Sequence, residues 1–225
     1  LITLEVESRV EELGIKAIAF AVSGLQVPGS HSEALSAEIE SVEQALLHAS
    51  SIDTLKHEPY LKSFRDVHSS LGGAAKGELA APEVLLRALH RRGRLPRINA
   101  LVDIYNLVSA ETRLAFGAHD LAELSGNLRL AMTTGAERFV PLGAEEPVEV
   151  SAGEYAYLDD EDVLCRLEVR QCEKSKVDAS TTDCLFVVHG SPMHSHAQLM
   201  QAEERLVELL SKYCGGRDPV DVRRI

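Results

Sequence analysis

Near its middle the chain changes the period at which its apolar residues recur. Between residues 32 and 113, Leu, Ile, Val and Phe return every three or four positions. Leu35, Ile39, Val42 and Leu46 follow Ser32. Leu61, Phe64, Val67 and Leu71 follow Glu58, and Leu101, Ile104, Leu107 and Val108 follow Asn99. That spacing gathers them on one face of a helix. Ser32 suits the cap of the first helix and Gly72-Gly73 the end of the second. Pro82 fits the first turn of a shorter helix reaching His90, and Gly93 and Pro96 break the chain after it. After Gly126 the apolar residues come instead in short runs, at 128–132, 139–142, 155–158, 163–169 and 184–188, between Gly, Pro and acidic turns. Such runs predict antiparallel strands. Residues 15–22 add one early buried strand, stopped by Ser23-Gly24. Residues 197–213 return to helix, ended by Gly215-Gly216 before a tail at Asp218-Pro219. The expectation is an α+β fold: a central, mostly antiparallel sheet flanked by helices.

A chain of 225 residues with 45% hydrophobic content can bury a sizeable core. With five Phe, five Tyr and no Trp, that core must rest on aliphatic side chains. The formal net charge of −12 argues against a protein that coats nucleic acid over its whole surface, because phosphates call for cations. Cys165, Cys172, Cys184 and Cys214 form no Cys-x-x-Cys pair and read as reduced thiols. No apolar run is long enough to span a bilayer and no secretory pattern opens the chain, so a cytoplasmic location is expected.

Within this acidic chain, residues 87–97 hold five arginines, Arg87, Arg91, Arg92, Arg94 and Arg97, beside His90. They make either a solvated helix end or a patch that steers an RNA end. Asn99, Asp103 and Asn106, three or four apart, are expected along one polar side of their helix, where they orient a ligand or a water, or serve only as surface amides and caps. His119 beside Asp120 offers an imidazole that titrates near neutrality, although Asp120 suits a helix cap equally well. There is no Gly-x-Ser-x-Gly elbow, no Walker loop and no Cys/His ligand spacing. His189, His194 and His196 read as incidental histidines of a loop, so no metal and no cofactor is expected.

The run Pro96-Arg97-Ile98-Asn99 through Val102-Asp103-Ile104-Tyr105-Asn106 resembles the B3/B4 editing module of phenylalanyl-tRNA synthetase. So do His119-Asp120-Leu121, Gly153-Glu154-Tyr155-Ala156-Tyr157, and Arg170-Gln171-Cys172-Glu173-Lys174-Ser175-Lys176-Val177 with Thr181-Thr182. The resemblance covers about residues 56–190 and implies one B3/B4-like domain over 1–225. Its helical N-terminal part would span about 30–94, its core about 95–190 and its C-terminal helix about 197–213. It further implies trans-editing: hydrolysis of the ester of a mischarged tRNA, bound by its 3′ end, with a positioned water and no metal or covalent nucleophile. On that resemblance Asn106, His119, Asp103 and Glu173 are the catalytic candidates. Tyr105, Asn99, Glu111, Lys174, Arg170 and Thr181 are the substrate-binding candidates, and the five arginines the tRNA-binding ones.

Two departures stand out. The synthetase-embedded form has His-Ala-Phe-Asp where this chain has Gly117-Ala118-His119-Asp120, and a Glu where this chain has Lys174 beside Glu173. Tyrosine specificity is therefore not carried over. The chain looks closest to standalone proteins resembling deacylases of canavanyl-tRNA(Arg), which makes tRNA(Arg) the expected partner, with no membrane and no obligate protein partner. Asp103, Glu111 or Glu173 would accept hydrogen bonds from the weakly basic canavanine side chain, while Lys174 repels fully charged arginine. Two other readings stay open: a tRNA- or RNA-binding module without catalysis, and a hydrolase of a free amino-acid derivative.

Overall fold

The computed structural model describes residues 2–217 and the backbone of 220–221 and 223–224. The tail expected at Asp218-Pro219 lies outside the described residues. The helices are α1 (Ser8–Glu11), α2 (Glu33–Ala49), α3 (Ile52–Leu55), α4 (Pro59–Leu71), α5 (Ala81–Arg92), α6 (Ala100–Thr112) and α7 (His196–Tyr213). Their ends follow local chemistry. Ser32 Oγ accepts from the Leu35 amide at 3.1 Å, and Glu58 from the Leu61 amide at 2.7 Å. At the other ends Gly72 and Gly93 take positive φ values of 70° and 74°, which release the chain without a Cβ penalty.

The strands form two sheets where the sequence predicted one. A smaller sheet has the order β3 (Ala115–Asp120), β8 (Cys184–Gly190), β2 (Lys16–Val22), β9 (Val220–Asp221), and its pairings are antiparallel. The larger sheet runs β10 (Arg223–Arg224), β1 (Thr3–Val6), β4 (Leu128–Met132), β5 (Tyr155–Leu158), β6 (Val163–Arg166), β7 (Arg170–Gln171). There β1 pairs in parallel with both β4 and β10. The run at 139–142 makes only a single bridge, Pro141 to Cys172.

Alternation along the strands of the smaller sheet explains why two layers are needed. Ile18, Phe20, Val22, Phe116, Phe186 and Val188 join the helices in one core cluster. The intervening Ala17, Ala19, Leu185 and Val187 join Leu4, Leu130, Tyr155 and Tyr157 of the larger sheet in a second. Both faces of the small sheet are thus covered, which is why β8 is buried along its whole length. Phe20 and Phe186 stack at 5.4 Å in the helix-side core, and each such burial is worth about 2–3 kcal/mol. Strand β3, at one edge of the small sheet, escaped the sequence reading because Gly117, His119 and Asp120 interrupt its apolar residues. Pairing with β8 makes it a strand.

Candidate active site at the seam between the sheets

The edge strands β3 and β7 of the two sheets meet at a seam. Gln171 of β7 donates its side-chain N–H to the Ala118 carbonyl of β3 at 3.4 Å, and the Asp120 amide donates to the Ser175 carbonyl at 3.0 Å. Between these edges, under α5 and α6, lies a cavity of about 450 Å³. Ala81 and Val84 come from α5, Tyr105 and Asn106 from α6, Gly117 and His119 from β3, Val187 and His189 from β8. Tyr157, Cys165, Glu168, Arg170 and Gln171 complete the wall.

Gly117 keeps the floor open. A Cβ there would sit 3.2 Å from Gln171 Nε2 and 3.5 Å from His119 Nε2. His119 is 1% exposed, and its Nδ1 lies 2.8 Å from Ser175 Oγ, which in turn lies 3.2 Å from Cys172 Sγ. Burial pushes the imidazole down to about 4, against the opposing pull of the Asp159 charge, so His119 is neutral near pH 7. A neutral ring held by one nitrogen presents the other to the cavity as a fixed hydrogen-bonding atom. Asn106 lies half-buried on the α6 side, and Arg170 is exposed at the mouth with Val84 and Leu142.

At the inner wall Glu168 is buried, 2.7 Å from His68 Nε2 and hydrogen-bonded by the Tyr155 hydroxyl. Burial opposes its charge, but the His68 hydrogen bond and charge outweigh it and hold Glu168 below the usual carboxylate range. His68 moves the opposite way: burial disfavours its proton, and Glu168 overcomes this to raise it. The two form a buried ion pair.

Asn106, His119, Tyr105 and Arg170, singled out in the sequence, therefore come together. The other candidates do not. Asn99 caps α6, accepting from the Val102 amide at 2.9 Å. Asp103 is buried away from the cavity, where it accepts from the Ile98 amide at 2.8 Å and lies 2.9 Å from His31 Nε2. The expected polar ridge of Asn99, Asp103 and Asn106 is thus broken, because the first two close the start of their own helix. Glu111 lies 3.7 Å from Arg205 on α7, and burial raises its carboxyl. Thr181 donates to Asp120 at 2.7 Å.

Glu173 and Lys174 line a different cavity, of about 540 Å³, with Arg138 and Asp162. Glu173 accepts from the Gly143 amide at 2.8 Å and pairs with Lys176. Lys174 sits 2.9, 3.1 and 3.3 Å from Asp159, Glu161 and Asp162. Three carboxylates neutralise it, so the expected repulsion of arginine by Lys174 has no basis in this arrangement.

The arginine cluster divides too. Arg87 pairs with the buried Glu83 at 2.7 Å, and Arg97 grips the buried Glu43 at 2.9 and 3.0 Å. Arg91, Arg92 and Arg94 are exposed. Arg91 lies on the same helix stripe as Val84, about 10 Å further along the axis.

Among the lining residues that were not site candidates in the sequence are Gly117, Gln171, Glu168 and His189. Glu168 carried a signal, as a lone carboxylate inside the apolar run 163–169. His189 belongs to β8 and not to a loop. It continues the inward series of Leu185 and Val187. His194 accepts from the Ser191 amide at 3.0 Å and packs tilted against Tyr60, ring centroids 4.5 Å apart. The four cysteines are free and buried. Among the described residues, no group of three or more His, Cys, Asp or Glu is placed to hold a metal ion, and no helix is long and apolar enough to cross a membrane.

Chiefly through burial, His119, His189 and His194 are all pushed down to about 4. Unfolded, each would bind a proton near pH 6.5. The unfolded chain therefore takes up protons first as pH falls from about 6.5 to 4, and stability falls over that window by about 1.4 kcal/mol per pH unit for each imidazole. His119→Gln should reduce the slope by one such increment in denaturant titrations at pH 6.5, 5.5 and 4.5. An unchanged slope would mean that His119 titrates alike in both states.

A model of the B3/4 domain matches residues 69–215. The chain belongs to the B3/4 domain family. The Phenylalanine--tRNA ligase beta subunits of Pseudomonas savastanoi pv. phaseolicola and Pseudomonas syringae pv. tomato are each 36% identical to it over 93 residues. That stretch is 41% of this chain but 12% of each relative, so this B3/4 protein matches only a small part of those subunits. The crystal structure of an N-terminal fragment of the phenylalanyl-tRNA synthetase beta-subunit from Pyrococcus horikoshii superposes with a TM-score of 0.55 at 13% identity. It covers 99% of this chain and 54% of that one, which establishes the shared fold.

Proposed function

We propose that this B3/4 protein is a trans-editing aminoacyl-tRNA deacylase, hydrolysing the ester of a mischarged tRNA held by its 3′ end. The observation that carries this reading is the seam cavity, where a glycine-floored space adjoins the neutral, buried His119. An imidazole held to about 4 is a poor proton sink at neutral pH, so His119 orients the attacking water by a hydrogen bond and does not strip its proton. Asn106, from the opposite wall, is the second group that aims this water at the carbonyl carbon. Water adds to that carbonyl, the ribose oxygen leaves, and the products are a free amino acid and uncharged tRNA. Proton transfer falls to the substrate, whose terminal ribose hydroxyl and α-amine flank the ester. The exposed Val84, Leu142 and Arg170 at the mouth suit a terminal nucleoside, with apolar contact for the base and a cation for phosphate. Arg91 and Arg92 extend this surface along α5.

Canavanyl-tRNA(Arg) is the substrate to test first. Its oxyguanidine is much less basic than the guanidine of arginine, so a neutral form can enter a cavity whose inner carboxylate already holds a cationic partner. Single-turnover deacylation of canavanyl- and arginyl-tRNA(Arg) at low and moderate salt tests both levels of the proposal. Faster hydrolysis of the canavanyl ester is expected. Equal rates remove the specificity, and no hydrolysis across a panel of mischarged tRNAs removes the activity in favour of a binding module. In the same assay Arg91→Ala with Arg92→Ala should weaken tRNA binding about tenfold and flatten its salt dependence, with the saturating rate kept. A saturating rate that drops as far as binding would contradict that division.

A further inference from the structure

The hydrolysis proposed above leaves unused the inner wall of the cavity, where Glu168 and His189 are 5% and 1% exposed. His189 Nδ1 lies 2.7 Å from the Tyr157 hydroxyl, and its Nε2 lies 3.6 Å from Glu168 Oε2. Glu168 is ionised by its pairing with His68. A lone pair on Nε2 would face that anion, so the proton sits on Nε2 and the Tyr157 hydroxyl donates to Nδ1. At 3.6 Å the Nε2–H cannot bond Glu168, and it has no other acceptor among the described residues. The ring cannot swing to find one. It stacks on Tyr155 at 5.5 Å and 14°, and on Phe64 at 6.0 Å and 23°. The cavity wall therefore holds a rigid, unsatisfied donor beside a rigid carboxylate acceptor, an arrangement that a ligand atom would complete.

We infer that Glu168 and His189 form the side-chain subsite, taking an aminoacyl group that ends in a neutral group able both to donate and to accept a hydrogen bond, such as a carboxamide or hydroxyl. Such a group donates to Glu168 and accepts from His189 at once. An apolar side chain leaves the Nε2–H of His189 unpaired and gives Glu168 no partner beyond His68 and Tyr155. An ammonium or guanidinium offers no acceptor to the Nε2–H and meets a carboxylate already held by the His68 cation. The ligand class rests on the deacylase reading; the donor–acceptor geometry does not.

The test uses adenosine carrying a 3′-amide-linked amino acid in place of the ester, with glutamine, norleucine or lysine, and measures affinity by calorimetry. The wild-type protein should bind the glutaminyl compound at least about tenfold more tightly than the other two. His189→Phe, which keeps the stacked ring and removes the donor, should bring glutaminyl and norleucyl compounds within about twofold of each other. Equal wild-type affinities, or a preference that survives in a folded His189→Phe, overturn the inference. The wild-type ranking decides alone should the variant not fold. Equal binding with tRNA deacylation intact sinks the subsite only, whereas no binding of any analogue and no deacylation sink both readings.

Discussion

Valine in place of Gly117 should slow the proposed deacylation at least about a hundredfold at saturating tRNA while leaving the melting temperature almost unchanged. Position 117 lies inside β3, paired with Val187, where a β-branched residue suits the backbone. Its Cβ would already stand 3.2 Å from Gln171 Nε2 and 3.5 Å from His119 Nε2. The added methyl groups would then fill the space beside His119 that the proposed mechanism assigns to the attacking water. A displacement of about 1 Å at a reacting centre is enough for a hundredfold loss. Gains in strand propensity and losses from crowding are each of order 1 kcal/mol, so the fold should persist. Rapid-quench single turnovers with a parallel thermal melt make the comparison. A folded variant with an undiminished rate would move the chemistry away from the Gly117–His119 floor.

Glu168→Ala should cost about 3–5 kcal/mol of stability, because it leaves the buried His68 without its counter-charge. The effect should depend on pH in a definite sense. Glu168 is held below its ordinary 4.5, so its contribution is present above that value and is lost as pH falls through its lowered pKa. His68 is held above its ordinary 6.5, so its contribution is full below that value and is lost as pH rises through its raised pKa. The difference between wild type and variant is therefore greatest between about 4.5 and 6.5 and shrinks at either side. Urea titrations at several pH values read it directly. A deficit below about 1 kcal/mol, or one constant with pH, would show that the ion pair does not carry this part of the core.

The helices α2, α4, α5, α6 and α7 and the strands β2, β4, β5, β6 and β8 were legible in the sequence, because apolar period, caps and turn residues act within a few positions of one another. The sequence also brought out Asn106, His119, Tyr105 and Arg170. It did not separate them from Asn99, Asp103, Glu111, Glu173, Lys174 and Thr181, since a polar side chain that caps its own helix looks the same in one dimension as one that faces a ligand. Lys174 shows the limit well. Its charge is plain in the sequence, but the three carboxylates that neutralise it come from residues 159–162, brought near by the turn of the larger sheet.

Local order along the chain determined which segments are helices and strands and which residues have the chemistry for a site. Tertiary structure alone decided that there are two sheets, that their edges β3 and β7 meet, and that a cavity opens there with Gly117 as its floor. It also made one buried group of His68, Tyr155, Glu168 and His189, which lie as much as 121 positions apart (68 to 189). The physical reason is that burial and pairing set the charge and freedom of each polar group, and both depend on neighbours that are distant in sequence.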